Sequence, residues 1–271
     1  METKPKNDSL ETLKSFFALI TIVIIIGVAY FLFFIVLGAK GNFEGGDSAE
    51  GHATNFLGAI YKGGPAIVPI LIACALMVVT FSIERFITIF MASGRGSIGA
   101  FVIRVKAHLA TGNIKAAVAE CGKQKGSIGN VILAVLGKYE QLLTDTSMDK
   151  DQKVAALQKE LEDATSLELP MLEKNLSIVA TLASVSTLIG LLGTVIGMIK
   201  SFSAMAAAGT PNPAELSAGI SEALINTALG IGSSAFAIIA YNYFTTSIDT
   251  LSYSIDEAGF SIIQSFNTQV K

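Results

Sequence analysis

The chain has 271 residues, 51% of them hydrophobic and 15% charged, against about 25% charged in an ordinary soluble domain; with a mean hydropathy of +0.59 this is the composition of a membrane protein. A formal net charge of -3, with the lysines spread rather than run together, leaves no basic surplus and argues against nucleic acid as a partner. Cys74 and Cys121 stand far apart with no CxxC and no neighbouring histidine, so no disulfide, metal or cofactor is expected.

Residues 1–14 are polar and carry Lys4, Lys6 and Lys14. They precede an apolar run over 15–38, long enough to cross a bilayer, which takes about 20 helical residues. A signal-peptide core is shorter, about 7 to 15 residues, so the run is expected to stay as a first span. Residues 39–64, with Gly41, Gly45, Gly46, Asp47, Glu50 and Gly51, are expected to form an exposed loop. His52 in that loop has no partner ligand at helical spacing, and no role is assigned to it.

A second span is expected over 65–92, with Pro65 and Pro69 in or near its first turn. Its only interruption is the pair Glu84-Arg85, expected at the cytoplasmic interface with Arg85 snorkelling out of lipid; a part in subunit contact is the other reading. Residues 93–175 change to interspersed charges and periodic apolar positions, which predicts a small helical domain. Phe101, Val105, His108 and Leu109 share one face; Ile114, Val118 and Cys121 share another; Ile132, Leu133, Val135, Leu136 and Leu142 make a third. Cys121 is expected to be a small core hydrophobe. A charged helix follows from Lys150, and Pro170 is expected to kink or restart it before the third span, 176–202.

A linker over 203–217 contains Asn212-Pro213-Ala214-Glu215, an N-cap residue, a proline at the first helical position and an acid in the first turn. The fourth span, 218–247, therefore belongs to a helix starting near Pro213. The segment 248–271 has Ile248, Leu251, Ile255, Ile262 and Phe266 at helical intervals and is expected to be a surface or inter-subunit helix continuing from that span. Lys and Arg are abundant before the first span and between the second and third, so both termini and the large loop are expected in the cytoplasm. Lys40, Lys62 and Lys200 run against this trend without outweighing it.

Chemistry concentrates in the last two spans. At about 100° per residue, Gly219, Glu222, Ala223, Asn226, Thr227, Gly230, Ser233, Ser234 and Ala237 share one side of the fourth span. Ala180, Ala183, Ser186, Thr187, Gly190, Gly193, Thr194, Gly197 and Ser201 share one side of the third. Small residues let membrane helices approach closely, so packing alone accounts for Gly190, Gly193, Gly197, Gly219 and Gly230. It does not account for Glu222. A carboxylate inside a span costs about 2.5 to 3.5 kcal/mol on insertion scales and is retained where it faces protein or water. Thr187, Thr194, Glu222, Asn226 and Thr227 are thus the candidate lining of a water-accessible proton pathway. One acid within the spans suggests that the proton carrier itself sits on a second chain. No span holds a Ser and His pair or two aspartates, which argues against an intramembrane hydrolase; the chain is not expected to be an enzyme.

Two stretches, Gly190-Leu191-Leu192-Gly193-Thr194-Val195-Ile196-Gly197-Met198 and Gly219-Ile220-Ser221-Glu222-Ala223-Leu224-Ile225-Asn226-Thr227-Ala228-Leu229-Gly230, resemble the GLxGTVxGM and GIxEALxxTAxG signatures of the ExbB/TolQ/MotA proton-channel family. The span ending in Glu84-Arg85 and the segment around Thr111-Gly112-Asn113 also look like ExbB, so the resemblance covers residues 65–247. It implies an all-α membrane protein with a helical cytoplasmic domain, to which the apolar runs give four spans. It further implies a ring of five copies around two ExbD-like single-span partners carrying the proton-binding aspartate, and work passed to a TonB-like protein in the inner membrane. A TolQ-like subunit, a gliding or flagellar stator, and a passive scaffold are the alternatives. Three departures stand out: the first span is additional to the usual three, Thr187 stands where the family often has proline, and the cytoplasmic loop is shorter than a stator's although the four spans match MotA's count.

Overall fold

A computed structural model describes residues 8–48, 51–207 and 213–269, with side chains from Ile20 onward. The protein is an all-α multi-pass membrane protein. Four stretches are long and apolar enough to cross a bilayer, contained in Ile20–Leu37, Val68–Ala92, Lys150–Ala206 and Pro213–Gln269. The chain divides into two units, Met1–Phe81 with Ile178–Ile239, and Ser82–Ser177 with Ala240–Lys271.

In the first unit, α1 (Asp8–Phe31) runs into a π-helical turn, Leu32–Leu37. Ile25 and Ala29 pack on Ala73 of α3 (Val68–Ala92), and Phe33 and Leu37 pack on Val68. Helix α3 carries Pro69 in its first turn, where the missing N–H would have had no partner. Many of the large side chains on the remaining faces, among them Val23, Ile24, Phe31 and Ile35, are exposed, as lipid-facing residues are in an isolated chain.

The described residues of the 39–64 segment are largely exposed, as expected of a loop, and the segment carries local structure. It consists of two 3-10 turns, Lys40–Asn42 and Glu44–Gly46, an antiparallel bridge between Phe43 and Ala53, and the short helix α2 (Phe56–Tyr61). Asn42 organises it. Its buried amide Nδ2 donates to the carbonyls of Val36 (2.8 Å) and Leu37 (2.9 Å), groups that a helix end leaves without partners. Its Oδ1 accepts from Asn55 Nδ2 at 2.9 Å, and its carbonyl accepts from Thr54 N at 2.9 Å. Tyr61 stacks on Phe33 at 4.6 Å, and Phe43 meets Tyr61 edge-on at 5.4 Å.

In the second unit, α4 (Ile98–Ala110), α5 (Ile114–Gln124), α6 (Gly126–Thr144) and α7 (Lys150–Glu173) start on side-chain caps where the sequence supplies them. Ser97 accepts from Ala100 N and Asn113 from Ala116 N, and Asp149 with Gln152 forms a reciprocal capping box at the start of α7. The core contains Phe101, Val105, Leu109, Cys121, Ile132, Val135, Leu136 and Leu142, as their spacing predicts; Leu133 is exposed instead, one helical step past the buried face. His108 is half-buried on α4. Burial pushes the Cys121 thiol up to about 12, so it behaves as a core hydrophobe. Lys123 and Arg104 bracket Glu120 at 2.5 and 2.7 Å and hold its carboxyl below its ordinary value.

In this unit the restart expected at Pro170 falls a few residues later, and the expectation for the Arg85 side chain is corrected. Helix α7 continues through Pro170 to Glu173, and the break before α8 (Leu176–Ala207) lies at Lys174 and Asn175, where Asn175 has φ +64, a left-handed conformation that asparagine tolerates. Arg85 caps the end of α7. Its Nη1 donates to the carbonyls of Leu172 (3.0 Å) and Met171 (3.5 Å), and its Nε and Nη2 grip both oxygens of Glu84. Arg85 is therefore not snorkelling: its side chain is 2% exposed and caps a helix 87 residues away in sequence.

Helix α9 runs unbroken for 57 residues, Pro213–Gln269, beginning at the proline as expected; the expected cap Asn212 lies outside the described residues. Its last part buries one apolar face and leaves the other exposed, as the expected amphipathic helix does. Ile248, Leu251, Ile255, Ile262 and Phe266 are all buried in the core of the second unit.

Candidate functional site

Within the first unit, α8 and the first half of α9 meet along a seam of small residues. A methyl group on Gly193 would lie 2.5 Å from Asn226 Cβ, one on Gly190 3.0 Å from Gly230 Cα, and one on Gly197 3.0 Å from Ala223 Cβ. One on Gly219 would overlap Ser201 Oγ. The five glycines singled out from the sequence therefore bring two backbones into contact, which in lipid is the main source of helix association. Large residues such as Leu188, Leu192, Val195, Leu224 and Ile231 point away and are exposed.

The structure separates the five candidate pathway residues into three settings. Asn226 and Thr227 belong to the seam. Thr227 Oγ1 donates to the Gly190 carbonyl across the helix pair at 3.4 Å. Asn226 is 0% exposed, and neither its Nδ2 nor its Oδ1 has a hydrogen-bond partner. Thr187 and Thr194 bond within α8, to the carbonyls of Ala183 (3.5 Å) and Leu191 (2.5 Å). Thr194 borders a shallow, mostly apolar groove with Val195, Met198, Ile199 and Phe202. Glu222 is elsewhere again. Its Oε1 accepts from Lys200 Nζ at 2.7 Å, and its side chain is 19% exposed.

The ion pair gives Glu222 its physical justification. A lone carboxylate in an apolar helix is expensive, and a cation at hydrogen-bond distance offsets part of that desolvation. By sequence alone Lys200 reads only as a charge against the orientation trend. The signal for its role is present all the same: two opposite charges near the same end of two antiparallel spans joined by a short linker. The pair opens on a cavity of about 850 Å³, whose lining includes Lys62, Lys200, Glu215, Ser221 and Glu222. Among the described residues, no group of three His, Cys, Asp or Glu side chains is placed to hold a metal ion.

Glu84 and Arg85, the other charged pair noted in the sequence, lie in the second unit and take no part in this site. Asn175 Nδ2 also reaches Glu84 Oε2, at 3.3 Å, so the pair ties α3 to the junction of α7 and α8.

Residues 128–257 match the model of a family described as the MotA/TolQ/ExbB proton channel family. The chain is 32% identical over 124 residues to the Tol-Pal system protein TolQ of Pseudomonas aeruginosa, covering 46% of this chain and 54% of that one. It is 40% identical over 86 residues to a putative biopolymer transport protein, ExbB-like 3, of Synechocystis, covering 31% and 41%. To the biopolymer transport protein ExbB of Aquifex aeolicus it is 32% identical over 118 residues, 44% of this chain and 72% of the relative. The chain thus spans about half the length of the first two relatives.

Proposed function

The chain belongs to the MotA/TolQ/ExbB proton channel family, and from that premise we propose that it is a ring-forming subunit of a proton-driven motor in the inner membrane, with both termini cytoplasmic. In this reading five copies surround two single-span ExbD-like partners, and the assembly passes work to a TonB-like protein that energises outer-membrane transport. The observation that carries the reading is Glu222: a carboxylate within an apolar helix, salt-bridged to Lys200 and open to a cavity with further charged and hydroxyl groups in its lining. Because Thr194, Glu222 and Thr227 occupy different settings in one chain, a continuous path needs a second chain against them. A partner carboxylate that gains and loses a proton there would draw on about 2.3 kcal/mol per charge for each 100 mV of potential.

Glu222→Ala and Thr227→Val are expected to abolish uptake driven by the proton gradient while the oligomer, measured by native mass spectrometry, still assembles. Normal uptake in both variants contradicts the reading. The similarity to TolQ supports a second version, in which the same motor maintains the outer membrane. Identification of the co-purifying single-span protein separates the two. A passive scaffold, in which the glycines only pack helices, predicts no proton flux in liposomes with or without that partner.

A further inference from the structure

Resting on the proton-path reading of Glu222, we propose that the cavity beside it is a water-filled vestibule with one wall built by residues 51–64, the segment attached to the additional first span, and that Lys200 and Gly64 position the carboxylate on the opposite wall. The first span then serves to carry and anchor a wall of the entrance.

Four observations converge on this assignment. The cavity is lined from both sides, by His52, Ala59 and Lys62 of the folded segment and by Lys200, Ser221 and Glu222 of α8 and α9. Its volume of about 850 Å³ far exceeds the roughly 30 Å³ share of one water, and its charged and hydroxyl lining offers the several polar partners that a retained water needs. The segment is pinned rather than loose, through the Asn42 hydrogen bonds and the stack of Tyr61 on Phe33. The end of the segment touches the carboxylate itself. Gly64 has φ +95, and a methyl group there would lie 2.6 Å from Glu222 Oε1; one on Gly63 would lie 2.9 Å from Ile225 Cγ2. A side chain at position 64 is therefore excluded twice, by the backbone conformation and by the carboxylate that occupies its space. Lys200 holds the same oxygen from α8.

Ile225 is the position at which to test the wall, because it lines the cavity, is half-buried and is covered by Gly63. The native Cys74 and Cys121 are buried and leave a silent background. In native membranes containing the full complex, Ile225→Cys is expected to react with a charged, water-soluble methanethiosulfonate present on both faces. Adding Asn42→Ala, which removes the anchor of the segment, is expected to speed that reaction on the order of tenfold, the equivalent of one to two net hydrogen bonds. An unreactive Ile225→Cys means a dry or lipid-filled cavity and overturns the proposal. So does a labelling rate indifferent to Asn42→Ala. Should Asn42→Ala not fold, Gly64→Ala in the Ile225→Cys chain makes the same test from the other end of the segment.

The positioning role is read separately, in proton flux. Lys200→Met is expected to lose most of the flux and Lys200→Arg, which keeps the charge, to recover it; equal loss in both overturns the positioning of Glu222 by charge. Full flux in Glu222→Gln overturns the proton-path reading itself, and the labelling rates, which depend only on the cavity, distinguish that failure from failure of the wall.

Discussion

Helix α9 buries its two halves by opposite means. In the first unit its contact face is Gly219, Ala223, Asn226, Gly230, Ser234 and Ala237, nearly all small. In the second unit the same helix buries Phe244, Ile248, Leu251, Ile255, Ile262 and Phe266. The difference fits the expectation that the first unit lies in lipid and the helical domain of the second in water. Lipid tails are as apolar as leucine, so burying a large side chain between two membrane helices gains little and close backbone contact gains more. In water the area removed from solvent dominates, at about 25 cal/mol per Å², and large side chains are favoured. One continuous helix therefore needs two sequence codes, and the change between them falls near the boundary of the two units at residues 239 and 240.

Each unit contains one buried cysteine, Cys74 in the first and Cys121 in the second, which lets the two codes be tested in one molecule. Phe266 is fully buried and edge-on to Tyr139 at 4.8 Å, so Phe266→Ala is expected to destabilise the second unit by about 3 to 5 kcal/mol. With Cys74 replaced by Ala, a thiol-reactive dye should report Cys121 at a distinctly lower temperature. In the seam the damaging change is addition, not deletion. Gly193→Ala, which drives a methyl group against Asn226, is expected to cost about 1 to 3 kcal/mol and to expose Cys74 early while leaving the Cys121 temperature unchanged. Identical shifts of Cys74 and Cys121, each read in a background that lacks the other, would mean that the two halves unfold as one body, and the contrast would fail.

The smallest effect expected is electrostatic and confined to the second unit. Lys123 and Arg104 depress the Glu120 carboxyl, so its contribution is fully present above the ordinary value of 4.5 and is lost as pH falls through the lower folded value. Glu120→Gln should therefore flatten the acid limb of unfolding followed by circular dichroism below about pH 4.5, with little change near neutrality. An unchanged acid limb would remove Glu120 from the stabilising groups.

The two codes also explain what can be read from the sequence. The four apolar runs, the small faces of α8 and α9 and the apolar faces of α4 and α5 are periodic local patterns, and the structure places them as the periodicity predicts. The start of α9 at Pro213 is likewise a local signal. Contacts across long sequence separations are not legible. Arg85 reads as an interfacial charge because its partners, the carbonyls of Met171 and Leu172, leave no trace in side-chain chemistry. Of the kink or restart expected at Pro170, the restart lies at Asn175, because proline announces itself and a left-handed asparagine does not. The segment 39–64 reads as a loop because its order comes from one buried amide, Asn42, that composition cannot single out. At the candidate site, Glu222 is conspicuous as a charge in a span, whereas Lys200 and Gly64 acquire meaning only once α3, α8 and α9 are folded together.

The most direct measurement is proton flux into liposomes reconstituted with the chain and its co-purified single-span partner, driven by an imposed membrane potential. The wild-type complex is expected to conduct, and Glu222→Gln, with the same oligomeric mass, is expected to fall to the level of empty liposomes. Undiminished flux in Glu222→Gln would contradict the placement of this carboxylate in the proton path.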